Sequence, residues 1–222
     1  MATIHELGRD VSLTWLGHSA FLVEGQGRRI LVDPWIHGNP ACPERFKSID
    51  RVDTILVTHG HFDHAGEVPK VARQAGATRV VSCFETGQWL KRKGVEGIVD
   101  MNKGGTADCG DGLRVTMTSA DHSCGITDDD GSILYGGAAA GFVIEMPNGF
   151  RVYHAGDTDV FGDMALIREL HRPDLAILPI GGHYTMGPRE AAVAVQLLGV
   201  KHVLPIHWGT FPILAGTPDA LE

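Results

Sequence analysis

Four side chains able to hold a metal fall within six residues of one another, His59, His61, Asp63 and His64, in the string THGHFDHAG. Three offer neutral imidazole nitrogen and one a hard carboxylate oxygen, a mixture that suits zinc and also manganese, iron or nickel. On a regular helix this spacing would fan the side chains around the axis, whereas in a tight turn after a strand they can converge on one or two ions. Three further candidates stand where other strand-like runs end: His122 after VTMTSAD, Asp157 after VYHAG and His207 after VLPI. Five histidines and two aspartates, delivered from one edge of a sheet, are enough to fill two adjacent sites with a shared carboxylate. The chemistry expected of such a pair is hydrolysis, because two ions sharing a water lower its pKa toward about 7 and make hydroxide available as a nucleophile. Asp63 or Asp157 would orient that hydroxide or carry its proton to the leaving group.

Other residues are weighed against plainer roles. His18 in LGHS and His183 in GGHYTMG are too distant in sequence from the ligand strings for spacing to place them at the metals. His183, followed by Tyr184 and Thr185, is the candidate catalytic donor to a substrate oxyanion; the plain alternative is a loop histidine. Asp33 either orients a ligating histidine through its other ring nitrogen or opens a turn before Pro34. Asp157 competes with a role as N-cap of the next helix. No role is assigned to His154, and His5, His37, His171 and His202 are taken as surface or core residues. Cys124, two residues after His122, is read as a reduced thiol, since the ligand set is complete without it. The glycine pairs 104–105 and 136–137 lack the strand-turn-helix setting of a phosphate loop, so no nucleotide cradle is expected. The stretch GGAAAG over 136–141 marks a flexible edge or a close backbone approach. Trp35, Phe62, Tyr184, Met186, Trp208 and Phe211 are candidates for an apolar wall beside the metals.

The elements that must position these residues alternate in period. Residues 13–23 and 29–32 read as two strands joined by Gly25-Gln26-Gly27, a hairpin. Residues 54–58 form a buried strand, GHFDHAG a turn, and EVPKVARQAG a helix ended by Gly76. Strands over 79–83 and 97–101 enclose a helix over 85–93 ended by Gly94. Strands over 112–120 and 141–146 follow, and Pro147-Asn148-Gly149 turns the chain into FRVYHAGD. Helices over 164–171 and 189–198 then feed buried strands over 175–180 and 202–206.

With 222 residues, 43% of them hydrophobic and 21% charged, the composition supports one compact α/β domain over 1–222 and excludes a disordered or collagen-like chain. Nineteen basic against 27 acidic residues give a net charge of −8, and no basic run tracks a phosphate backbone, so nucleic acid is not an expected partner. No apolar segment is long enough for a membrane span, and MATIHELGRD carries charges where a secretory signal needs an apolar core, so a cytoplasmic chain is expected. Cys42, Cys83, Cys109 and Cys124 form no CxxC pair and fit reduced thiols.

The HxHxDH string formed by His59, His61, Asp63 and His64, with His122, Asp157 and His207 following in order, resembles the metallo-β-lactamase superfamily. The strings LGHSAF, LVDPW, THGHFDHAG, YHAGDT, PIGGHYTMGP and PIHWGTFP are similar to its small stand-alone metal-dependent hydrolases, the UPF0173-like family, over essentially the whole chain. The resemblance implies a four-layer αββα sandwich with a dinuclear site in a shallow cleft at one edge of two sheets. It assigns His59, His61 and His122 to the first metal, Asp63, His64 and His207 to the second, and Asp157 to the bridge. Two divalent ions, zinc foremost, are the implied cofactors. Members of that family continue past the TFP string for a further helix and strand, and the ending TPDALE departs from that pattern. The inserted domain with which nucleic-acid-processing relatives clamp RNA has no counterpart, which counts against an RNase.

The implied activity is hydrolysis of a small acyl compound such as a lactone or ester, because some related proteins open sugar lactones. Phosphodiester hydrolysis at the same dinuclear site is the alternative, and β-lactam hydrolysis is disfavoured without an export signal. A non-hydrolytic iron or redox module is the reading of another class. Its di-iron electron-transfer members carry a carboxylate in place of the second histidine of the string, where this chain has His61. A small-molecule substrate is the expected partner, with no membrane and with room for a homo-oligomer.

Overall fold

The computed structural model describes residues 3–5 and 10–221. In chain order its strands begin β1 (Thr3–His5), β2 (Val11–Trp15), β3 (Phe21–Gly25), β4 (Arg28–Val32) and β5 (Thr54–Leu56). Helices α1 (Phe62–Ala65) and α2 (Val68–Ala75), strand β6 (Arg79–Cys83), helix α3 (Phe84–Arg92) and strand β7 (Ile98–Met101) follow. Next come β8 (Thr106–Asp108), β9 (Arg114–Ser119), β10 (Gly125–Thr127), β11 (Ile133–Tyr135), β12 (Ala140–Glu145) and β13 (Arg151–His154). Helix α4 (Met164–His171), β14 (Leu175–Pro179), α5 (Pro188–Leu198) and β15 (Val203–Ile206) complete the set. Among the described residues no helix is long and apolar enough to cross a membrane.

Two compact units share these elements, Met1–Asn102 with Ser123–Ala138, and Lys103–His122 with Ala139–Glu222. The first holds a seven-stranded sheet in sequential order β1 to β7, antiparallel through β4 and parallel from β4 to β7, with the β10–β11 hairpin beside it. Parallel neighbours need crossovers; α2 supplies the one from β5 to β6 and α3 the one from β6 to β7. Val68, Val71, Ala72 and Ala75 of α2 pack with Leu22, Leu31, Ile55 and Val80 of the sheet and with Trp89 and Leu90 of α3. The expected αL cap at Gly76 is present, with φ +63°.

The second unit has a six-stranded sheet in the order β15-β14-β13-β12-β9-β8, parallel from β13 to β15 and antiparallel elsewhere. Helices α4 and α5 make its two crossovers, and α5 starts on Pro188 and ends at Gly199. Ala191, Ala194 and Leu198 of α5 and Met164 and Ile167 of α4 pack with Tyr153, Ala176 and Leu178. The Pro147-Asn148-Gly149 turn closes the β12–β13 hairpin, with the Gly149 N–H donating to the Met146 carbonyl at 2.8 Å.

Strand direction follows from these pairings. In the first unit β2, β4, β5 and β6 run the same way, so their C-terminal ends share one sheet edge. In the second unit β9, β13, β14 and β15 do likewise. Ligands of open α/β sheets gather at such ends.

Several expected elements differ. The run 13–23 is two strands, because Gly17 (φ +93°) and His18 (φ +54°) turn the chain between β2 and β3. A Cβ at residue 17 would come within 2.7 Å of the Ala41 carbonyl carbon, so only glycine passes there. GHFDHAG is not a plain turn: Phe62–Ala65 forms one helical turn that carries Asp63 and His64, with His61 as its N-cap. Strands β1, β8, β10 and β11, three residues each, have no counterpart in the sequence reading.

Candidate metal centre

In the first unit the potential ligands leave the shared C-terminal edge of the sheet. Asp33 follows β4, and Thr58 and His59 follow β5. Asp33 is fully buried and accepts three hydrogen bonds, from the Thr58 N–H at 2.8 Å, the Thr58 hydroxyl at 2.6 Å and His64 Nδ1 at 2.8 Å. A hydroxyl has one proton to donate. Since Thr58 gives it to Asp33, His59 Nδ1, 3.0 Å from the same hydroxyl, must be the protonated partner. One carboxylate thus fixes both rings with the proton on Nδ1 and the Nε2 lone pair outward, the orienting role that was one of the two readings of Asp33.

His59 Nε2 faces His61 Nδ1 at 2.9 Å, and the other nitrogen of His61 lies 3.3 Å from the Ser123 hydroxyl. Donors bonded at about 2.0–2.1 Å to one ion and subtending roughly 90–110° stand ~2.9–3.4 Å apart, so this pair is spaced as two ligands of one ion. Asp63 and His64 form a second cluster. The donor atoms of His18, Asp63 and His64 lie within 4.8 Å of one another, and His18 Nε2 is 2.9 Å from Asp63 Oδ2. His18, unplaced by the sequence, is 1% exposed and belongs to this cluster.

The second unit brings its own three candidates together. His207 Nε2 is 3.0 Å and His122 Nε2 3.8 Å from Asp157 Oδ2. Asp157 does not cap a helix: α4 starts at Met164 with Asp163 before it. The loop carrying His122 is pinned where the Asp121 N–H donates to the Thr158 hydroxyl at 2.9 Å and the Asp159 N–H donates to the Asp121 carbonyl at 3.1 Å.

His183 follows β14 from the same edge, exposed and edge-on to Tyr184 at 4.5 Å. Both line a cavity of about 480 Å³ with Thr185, Met186 and the carboxylate-bearing Asp121, Asp159 and Glu190. Positive φ recurs at these positions: +54° at His18, +45° at Asp33, +57° at His183 and +54° at His207.

Cys124 is structural. Its thiol donates to the Gly136 carbonyl at 3.2 Å and accepts the Gly60 N–H at 3.3 Å; the hydrogen bond with Cys83 and burial push its pKa up, so the thiol stays protonated. The close approach read in GGAAAG is real at Gly136, where a Cβ would collide with the Cys124 carbonyl oxygen. Among the described residues all four cysteines are buried and outside any disulfide.

Of the apolar-wall residues, Trp35 is buried against Phe62 (5.8 Å, 79°), Phe62 and Tyr184 are exposed, and Met186 packs into the second core. Trp208 packs beside that core, and Phe211 is half-buried. His154 is a buried strand-end residue whose Nδ1 accepts the Gly156 N–H at 3.1 Å. His37 bonds Glu67, His171 is half-buried, His202 is exposed, and the side chain of His5 lies outside the described residues.

Sheets with crossover helices and imidazole–carboxylate clusters at the strand ends define a class, the metallohydrolases of the β-lactamase type. The family described as Beta-lactamase superfamily domain matches residues 28–208. A UPF0173 metal-dependent hydrolase of Koribacter versatilis is 52% identical over 96% of this chain and 91% of its own length. One from Rubrobacter xylanophilus is 52% identical over 99% of this chain and 90% of its own length. The solved structure of Igni18, a metallo hydrolase from Ignicoccus hospitalis, has a TM-score of 0.82 at 38% identity, over 95% of this chain and 88% of that one. The chain belongs to the UPF0173 metal-dependent hydrolases of the β-lactamase superfamily.

Proposed function

We propose that the chain hydrolyses a small acyl compound such as a lactone or ester at a dinuclear centre, with His59, His61 and His122 on one divalent ion, Asp63, His64 and His207 on the other, and Asp157 bridging. The observation that carries the reading is the buried Asp33 carboxylate, which commits the Nδ1 protons of His59 and His64 and leaves their Nε2 atoms as lone-pair donors. The donor set, imidazole nitrogen with carboxylate oxygen, suits zinc and admits manganese, iron or nickel. Bound there, the ions supply Lewis acidity, lowering the pKa of a water and polarising a carbonyl.

The chain's own side chains do the rest. Asp63, 12% exposed, is placed to take and pass on a proton, and His183 stands at the cavity rim as a donor to oxygen that gains charge in the transition state. Acyl chemistry is favoured over phosphodiester hydrolysis because a net charge of −8 works against a polyanionic substrate. The reading takes the chain as cytoplasmic, without a nucleic-acid or membrane partner, and admits a homo-oligomer; a net charge of −8 supports the absence of nucleic acid.

The test is initial rates of metal-reconstituted protein on lactones, aryl esters, thioesters and an activated phosphodiester, with Asp157→Asn as background. Lactone or ester turnover that the variant lacks supports the reading; turnover of the phosphodiester alone overturns the acyl assignment. Absence of turnover in every class overturns the hydrolase.

A further inference from the structure

We propose that His18 is a ligand of the same ion as Asp63 and His64, so that the turn after β2 is part of the metal centre. The inference rests on the dinuclear reading and adds a donor that the HxHxDH pattern and the later ligand strings do not contain.

Geometry is the first support. His18 Nε2 stands 2.9 Å from Asp63 Oδ2 and His64 Nε2 stands 4.0 Å from the same oxygen. The 2.9 Å separation matches that of His59 with His61 and is within 0.1 Å of that between His207 and Asp157 at 3.0 Å. An imidazole contact of Asp63 with the spacing of the other proposed ligand pairs therefore comes from a residue 45 positions earlier in the chain.

The second support is how His18 is held. Trp15 Nε1 donates to its carbonyl at 2.8 Å, and its ring meets the Trp35 ring edge-on at 5.2 Å and the His64 ring at 5.9 Å. With 1% exposure, the ring has little rotamer freedom left to lose on binding an ion. Its backbone is left-handed, a conformation that costs a non-glycine residue free energy and persists where the surroundings over-determine it. An imidazole aimed at a carboxylate from such a position fits a ligand better than a packing residue.

The competing role is a plain hydrogen bond, with His18 protonated on Nε2 and donating to Asp63 without touching the ion. The two are separated by loading the protein with zinc or cobalt and replacing His18 by Asn, which tolerates left-handed backbone but has no imidazole. A ligand role predicts that H18N keeps one ion, binds the other at least about 100-fold more weakly, beyond what loss of an orienting partner costs, and changes the cobalt absorption bands as a donor leaves. Two ions bound within about threefold of the wild-type affinities, with an unchanged cobalt spectrum, overturn the inference.

A measurement on the unaltered chain needs no variant to fold. With ring-¹⁵N histidine and ¹¹³Cd, six imidazoles coupled to cadmium are expected, from His18, His59, His61, His64, His122 and His207. Five, with His18 uncoupled, overturn the inference alone. Fewer than two ions per wild-type chain overturn the dinuclear reading, and this inference with it.

Discussion

Replacing Asp33 by Asn changes one atom in a buried cluster and, on the structure, reverses two histidine tautomers. The carboxylate accepts from the Thr58 N–H, the Thr58 hydroxyl and His64 Nδ1. An asparagine in the same position has one accepting oxygen and an amide that only donates. With that oxygen on the Thr58 N–H, the amide faces the Thr58 hydroxyl and His64 Nδ1. The hydroxyl then accepts, its proton turns to His59 Nδ1, and both rings move their protons to Nε2, where the ions would bind. With the oxygen on the other side, the Thr58 N–H is left buried against a donor, which costs about 1–3 kcal/mol. The expected result is a metal affinity lower by about 10–100-fold, the range for loss of a residue that orients ligands, equivalent to about 1.4–2.7 kcal/mol. Competition with a chromophoric zinc chelator measures the affinity, and urea unfolding in EDTA measures the metal-free stability. A Kd within about threefold of wild type, with unchanged unfolding, would refute the tautomer argument.

Three more expectations follow from other parts of the molecule. Burial alone works against the ionised form of Glu67, but the N–H groups of His37, Gly38 and Ile36 and the His37 ring outweigh it and hold its pKa below 4.5. The clasp contributes its full stability above the unfolded carboxylate pKa and loses it as pH falls through the folded value. Glu67→Ala should therefore lower urea stability by about 1–3 kcal/mol near pH 7, with a gap that narrows as the pH falls below the ordinary carboxylate range and through the depressed folded value; a gap independent of pH would contradict this. Gly136→Ala should destabilise by about 1–3 kcal/mol in thermal or urea unfolding, through overpacking against the Cys124 carbonyl; unchanged unfolding would refute the close approach. His183→Ala should keep full metal content by mass spectrometry while kcat falls roughly 100-fold or more, the usual cost of an oxyanion donor; an unaltered kcat removes His183 from the chemistry.

The strongest signals in the sequence were local ones. THGHFDHAG was legible as a ligand string because its spacing is short, and helix α2 because Val68, Val71 and Ala72 recur at helical spacing before Gly76. Asp33 stayed open between an orienting group and a turn opener, because the sequence does not show that Thr58 and His64 donate to it. His18 was not placed, since nothing in LGHS points to Asp63, 45 residues on; antiparallel β2–β3–β4 pairing brings that turn to the edge where β5 ends. Residues 13–23 looked like one strand because Leu16 and Ala20 are apolar, whereas they are apolar for facing the core from a turn. The short strands β10 and β11 leave Ile133 and Tyr135 exposed and so carry no buried alternation to read. One-turn α1 was too short for any periodicity.

Eight non-glycine residues among those described have positive φ; Gln26 and Asp111 sit in tight turns and Arg172 at a helix end, while four others are His18, Asp33, His183 and His207. Each such position holds a conformational cost of order 1 kcal/mol, and glycine there would relieve it. A population of variants selected for thermal resistance alone should drift toward glycine or asparagine at His18, His183 and His207, shedding the proposed centre, whereas Asp33 is held by the three buried hydrogen bonds it accepts. Under selection for turnover the same codons should resist that drift, so the metal-free protein carries a standing debt in robustness that only its activity keeps in place.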